Sequence, residues 1–249
     1  MTRLDRTGKR SQWEVARGVE RSYQSRLLTV AKQVGDMVSG LAPGGIVTDL
    51  GALLDMLNRY SALITPWATS VANAMVSDVN RRNELIWKRV GKQMGREIRN
   101  EIATSPQGIV YRDLMAENVD LIKSIPLKAG ERVQKLTTEA LSTGRRAESI
   151  AREIQNTTRV SKSRARLIAR TEVARTSALF TQARAMQVGS EGYIWRTSED
   201  SDVRETHKAQ NGKYIRWDKP PKTDKDLDPY HAGCGPNCRC YPEPVFPEL

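Results

Sequence analysis

From Trp13 to Val188 apolar residues return every three or four positions, and no other feature of this 249-residue chain constrains its fold as strongly. Such spacing matches the 3.6-residue period of an α-helix and sets an apolar stripe on one face. Trp13, Ala16, Val19, Tyr23, Leu27, Val30, Val34 and Met37 form the first stripe, with Arg17, Glu20, Arg21 and Lys32 off it. SGLAPGG (39–45) supplies the Gly and Pro that stop a helix. A second helix is predicted over 48–63. A third runs over 66–102, with Pro66 at its first position and a kink near Gly91 or Gly95. TSPQG (104–108) is a break. Helix follows over 109–124, restarts at Pro126 because proline interrupts the ladder, and continues over 127–142. Gly144 then stops it. Ala147, Ile150, Ala151 and Ile154 make a short stripe, and a last helix over 161–188 ends at Gly189.

After Gly189 the texture changes. GYIWRT (192–197) and GKYIRW (212–217) are rich in aromatic and β-branched residues and read as strands, with a turn at Asn211-Gly212. Seven of the 11 prolines (220, 221, 229, 236, 242, 244 and 247) fall in 218–247, which predicts neither long helix nor paired strand there. All 3 Cys and both His lie within the last 43 residues. A long loop without its own core needs a staple, and thiolate with imidazole suits tetrahedral Zn²⁺. The candidates are His207, His231, Cys234, Cys238 and Cys240, five for four places. The spacing C-x3-C-x-C is not a standard finger, so free buried thiols, or a Cys234–Cys238 disulfide beside a hydrogen-bonded His207, stand as the alternative. No deaminase signature, H-E-x-x-H or G-x-S-x-G is present, and the chain is read as a non-enzyme. The enzymatic alternative is a metal-dependent nuclease using His207 with Asp200, Asp202 or Glu205.

The formal net charge is +11, and a pI near 9.8 points to an anionic partner. Residues 144–190 hold ten basic and three acidic side chains, 10 − 3 = +7 of that total. Arg159, Lys162, Arg166 and Arg170 share one helical face. It suits a phosphate backbone or an acidic protein surface, or else a solvated face with intersubunit ion pairs. No aromatics interleave with them, which weighs against single-strand binding. Glu172 and Arg175 read as a local pair. With 39% hydrophobic and 6% aromatic residues, the chain is lean in core, as expected of long helices completed by partners. The longest uncharged run, 60–77, carries Pro66 and Asn73 and reads as a buried helix, not a membrane span. An odd Cys number and a charged opening, without a signal-peptide core, argue against a secreted disulfide scaffold. The organisation read from this is an N-terminal helical region (1–105), a central helical region with the Arg-rich helix (106–190) and a C-terminal Cys/His module (191–249). The fold class is mainly α, with that small α+β module stapled by the Cys/His site.

Certain residues stand together in a recognisable order: Arg170-Thr171-Glu172; Trp195-Arg196-Thr197-Ser198 with Asp200, Arg204 and His207; Gly212; and Asn237-Cys238-Arg239-Cys240. From about Ile125 to Val245 the chain resembles the phage Mu F-like minor head protein, or phage head morphogenesis, family. The resemblance implies a virion component acting in head assembly near the portal and inside the capsid. Its partners would be portal, major capsid or scaffold proteins and packaged DNA, without a membrane, and its location the virion, with host cytoplasm during assembly. It also implies His207, His231, Cys238 and Cys240 as zinc ligands, with Cys234 as substitute. Beside this minor head reading stand the nuclease and a non-specific DNA-binding protein.

Overall fold

The computed structural model describes residues 11–15, 17–93, 107–143 and 147–246. Its helices are α1 (Arg17–Leu41), α2 (Leu50–Leu63), α3 (Thr65–Gln93), α4 (Gln107–Thr143), α5 (Ala147–Gln155), α6 (Thr157–Gln187) and the single turn α7 (Glu205–Lys208). A 3-10 turn (Pro43–Gly45) follows α1, and the strands are β1 (Gly192–Arg196), β2 (Tyr214–Arg216) and β3 (Tyr241–Val245). The protein is mainly helical, with a small antiparallel sheet in order β2-β1-β3. The long helices follow the apolar period. The expected kink at Gly95, the end of the third helix near 102 and the stop at Gly144 lie outside the described residues. Among the described residues no helix is long and apolar enough to cross a membrane. The uncharged run 60–77 is shared between α2 and α3, which part at Ile64.

The chain packs as two compact units. One comprises 1–20, 74–114 and 170–249, the other 21–73 and 115–169. The regions 1–105, 106–190 and 191–249 divide the chain along its length, whereas these units divide it in space.

In the second unit, Leu27, Val34, Leu57, Ile122, Val133 and Ile154 are buried from four helices. Asp49 caps α2, its carboxylate accepting the Ala52 N–H at 2.9 Å. Gly45 sits at φ 83°, and a Cβ there would fall 2.1 Å from the Ala151 carbonyl oxygen, so only glycine lets the 3-10 turn lie against α5. The restart expected at Pro126 does not occur: α4 runs through it. Proline removes a donor and disturbs the carbonyls of the preceding turn. Here the Ser61 hydroxyl of α2 donates to the Lys123 carbonyl at 3.1 Å and the Ser124 hydroxyl to the Leu121 carbonyl at 2.6 Å. These hydroxyls serve the carbonyls on either side of Ile122, whose carbonyl is the one facing the missing Pro126 N–H, and the helix continues.

The first unit gathers the scarce aromatics. Trp13, Trp87, Trp195 and Trp217 are buried together with Tyr193, Tyr241, Val90 and Val188. Trp13 does not head the α1 stripe as its spacing suggested. It precedes the helix and stacks edge-on against Trp87 at 5.5 Å. Gly189, at φ 86°, ends α6 as expected.

β3 overturns the expectation that no strand pairs in the proline-rich tail. YPEPV pairs with β1 over five positions, Trp195 opposite Pro242 and Tyr193 opposite Pro244. Trp195 donates its N–H to Lys213 and accepts that of Gly212, so it spends its backbone groups on the β2 side. With a period of two, Tyr193 does the same, and the intervening residues face β3. Pro242 and Pro244 therefore point their nitrogens at the free edge, where no donor is needed.

One buried cation is part of the first unit's frame. Arg184 has no exposed surface. Its guanidinium donates to the Asn83 and Asn80 side-chain oxygens, lies 3.7 Å from Glu84 and stacks over Phe180. Burial lowers its pKa to about 10, with Glu84 opposing that shift. Asn83 also donates to Thr181 at 2.9 Å, which joins α3 to α6 within the unit. Arg184→Met keeps the stem and leaves buried amide oxygens without donors. It should lower stability by about 3 kcal/mol, read as a lower urea midpoint at unchanged slope.

Candidate metal centre

His207 reaches its place through β1 and α7. The β1 backbone is fixed by the Trp195 bonds to residues 212 and 213, and the loop that follows leads into α7. The His207 ring is buried and meets the Trp195 indole edge-on at 5.5 Å. Its Nδ1 lies 3.6 Å from Cys238 Sγ and 3.5 Å from Cys240 Sγ. The ligand atoms of these three buried residues lie within 4.8 Å of one another, and they form the one such His/Cys/Asp/Glu group among the described residues.

Hydrogen bonding on the far side of the ring fixes which nitrogen is free. Nε2 lies 2.9 Å from the Tyr230 hydroxyl, which makes a very short bond to Asp224. Burial and the bond to Asp224 push the Tyr230 pKa up to about 12, so its hydroxyl keeps its proton and donates it to the carboxylate. Its oxygen then accepts from His207 Nε2–H, which leaves a lone pair on Nδ1 aimed at the two sulfurs. A carboxylate-anchored imidazole of this kind is what a metal-ligating histidine requires. The thiols are prepared as a pair. The hydrogen bond from Cys240 lowers the Cys238 pKa, opposed by burial, while Cys240 is pushed up chiefly by its bond to Cys238. A thiolate is the metal-binding form.

The loop carrying the thiols is held from both sides. Asn237 has φ 56°, a left-handed conformation in which its N–H donates to the Thr171 hydroxyl at 2.8 Å. Arg170 donates to the Asn237 side-chain oxygen at 3.1 Å. Arg204 donates to the Pro236 carbonyl at 2.7 Å and to Asp224 at 3.3 Å. Arg239, between the two cysteines, donates to Asp200 at 2.7 Å and Asp202 at 3.2 Å. The residues that stood out in the sequence as a dispersed pattern converge on this loop.

The other candidates lie elsewhere. Cys234 is a half-buried free thiol, pushed up to about 12 by burial, and stands outside the group. His231 also stands outside it, between Tyr193 and Trp217. The Tyr193 hydroxyl accepts from Ala232 N–H at 3.2 Å and so donates to His231 Nδ1 at 3.1 Å. His231 Nε2–H donates to the Trp217 carbonyl at 3.1 Å. All three cysteines are free, so no disulfide joins Cys234 to Cys238. The acids of the nuclease reading are engaged: Asp200 and Asp202 by Arg239, Glu205 by Lys208. Tyr230 and Asp224, which orient His207, carried no signal in the sequence.

The basic face divides. Arg159 and Arg166 are exposed and Lys162 is half-buried, and none of the three pairs with an acid among the described residues. Arg170 is taken up by Asn237 and by Glu20 at 3.4 Å. Arg164 donates to Ser124, Arg175 pairs with Glu172, and Arg184 is buried.

His231 makes stability depend on pH. Burial holds its pKa below the ordinary 6.5, opposed by its bond to Trp217. The folded state therefore binds its proton less readily than the unfolded chain. The resulting stability is present above 6.5 and is lost as pH falls below it. His231→Gln has no such proton to take up. The stability gap between the two proteins should shrink as pH drops from about 7.5 to about 5 in parallel denaturant titrations. A gap that stays constant would refute the buried neutral imidazole.

An uncharacterized protein of Haemophilus influenzae is 31% identical over 198 residues, which is 78% of this chain and 43% of that protein, so the chain spans less than half the length of that curated relative. No solved structure matches. The family described as Phage Mu protein F like protein matches residues 131–242, a stretch that holds His207, Cys238, Cys240 and every side chain that clamps their loop. Over those residues the chain is similar to phage Mu F-like proteins.

Proposed function

We propose that the chain is a structural minor head protein of a phage, a virion component that acts in head morphogenesis. The observation that carries this reading is the family match over residues 131–242, which covers the whole apparatus around the thiol loop. That family points to phage head assembly and to structural rather than enzymatic work. The acids near His207 are neutralised by Arg239 and Lys208, which fits a site built for stability rather than cleavage. In this reading the protein sits inside the head near the portal, against portal, major capsid or scaffold proteins, having assembled in the host cytoplasm. Interrupting its gene in the phage that carries it should cut the yield of infectious, DNA-filled heads at least tenfold. Mass spectrometry of purified wild-type virions should find the chain. Normal yield with the chain absent from virions would overturn the proposal.

His207, Cys238 and Cys240 fit a zinc ion: a free imidazole lone pair, a thiolate and a thiol that loses its proton on binding. A bound zinc would supply folding free energy by closing the loop between α7 and β3. His207 is held for this by Tyr230 and Asp224, and the two thiols by the clamp of Arg170, Thr171 and Arg204.

DNA contact rests on a separate observation, the cations Arg159, Lys162 and Arg166 on α6, which pair with no acid among the described residues. Three phosphate contacts give a plot of log affinity against log salt with a slope of about −2.7 for a duplex. Replacing all three by Ala should bring that slope close to zero. A wild-type affinity that ignores salt would remove DNA from the list of partners.

A further inference from the structure

The described residues offer three metal-ligating atoms, and a tetrahedral zinc needs four. The two spare candidates are not placed to complete the set. His231 has a single lone pair, on Nδ1, and the Tyr193 hydroxyl occupies it. Its other nitrogen donates to Trp217, and its ring is held by the aromatic faces of Tyr193 and Trp217. Turning it inward would break these bonds inside the core of the sheet. Cys234 Sγ is not among the atoms that gather within 4.8 Å.

The three ligands instead open on a cavity of about 40 Å³, lined also by Ser198, Asp202, Arg204, Asn237 and Arg239. A space of that size holds a water or a small anion. Ser198 lines it, and its buried hydroxyl has no hydrogen-bond partner among the described residues. A buried hydroxyl in this position calls for a polar ligand in the cavity. Arg204 and Arg239 stand at the same wall and favour an anionic oxygen or nitrogen donor.

From this juxtaposition we infer that the metal at His207, Cys238 and Cys240 keeps one coordination position for a non-protein ligand, a water or small inorganic anion, hydrogen-bonded by Ser198. This rests on the zinc reading above and goes beyond it. A structural zinc is saturated by protein side chains, whereas this one would be exchangeable at one place. The Arg239 and Arg204 side chains, paired with Asp200, Asp202 and Asp224, would set which anions enter.

X-ray absorption on the full-length zinc protein tests the ligand count without any variant. Two sulfurs, two nitrogen or oxygen neighbours and the outer-shell scattering of one imidazole are expected. Three sulfurs, or two imidazoles, would assign the fourth place to Cys234 or His231 and overturn the inference while leaving zinc in place. The cobalt-loaded protein should change its visible spectrum on titration with azide, and Ser198→Ala should weaken azide binding at least threefold with metal content unchanged. A cobalt spectrum indifferent to azide and cyanide would also overturn it. Wild-type protein that retains no zinc by elemental analysis would instead bring down the metal reading itself, an outcome distinct from a saturated four-ligand site.

Discussion

The bond from His207 Nε2 to the Tyr230 hydroxyl settles the chemistry of the whole C-terminal module. Tyr230 donates its hydroxyl hydrogen bond to Asp224 and accepts from the ring, so the histidine presents its lone pair on the other side. That side faces two thiols. Were the tautomer reversed, Nδ1–H would face the sulfurs and no ligand set would exist. Asp224 is in turn held by Arg204, which also grips the backbone at Pro236, two residues before the first thiol. One arginine thus ties the histidine's orientation to the thiols' position.

The charge that dominated the composition is used in two ways. Arg170, Arg175, Arg184, Arg204 and Arg239 act inward, as donors to carbonyls, amides and carboxylates that hold the fold. Arg's planar fork and persistent charge suit this work, since several acceptors can be served by one side chain. Arg159, Lys162 and Arg166 are left without acid partners among the described residues. The net +7 of residues 144–190 therefore overstates the charge available to a partner.

Much of the helical part was legible because a 3.6-residue period is written locally, as in the Ala147–Ile154 stripe that becomes α5. What was not legible depended on residues remote in sequence. Nothing near Pro126 says that Ser61 will satisfy the Lys123 carbonyl. Nothing in YPEPV says that its prolines fall on the outward-facing register, because that register is set by the partner strand and by β1's own pairing with β2. Trp13 carried the right spacing for α1 yet packs on Trp87. The site was legible as a cluster of residue types, and His207, Cys238 and Cys240 are brought together. His231 had equal standing in the sequence. Its separation comes from Tyr193, Ala232 and Trp217, which offer it a complete set of hydrogen bonds.

The two cysteines sit immediately before β3, and β3 pairs with β1 across 44 intervening residues, 197 to 240. The thiols are delivered by the same event that zips the last strand. Closing a loop of that length is the slow, entropically costly step in such a module, and local helix formation precedes it. A nascent chain holds His207 before it holds the sulfurs, so the three side chains meet only when the ladder is finished. Strand pairing and the gathering of the imidazole with its two thiols are therefore one event, with no stage at which only part of the set is in place.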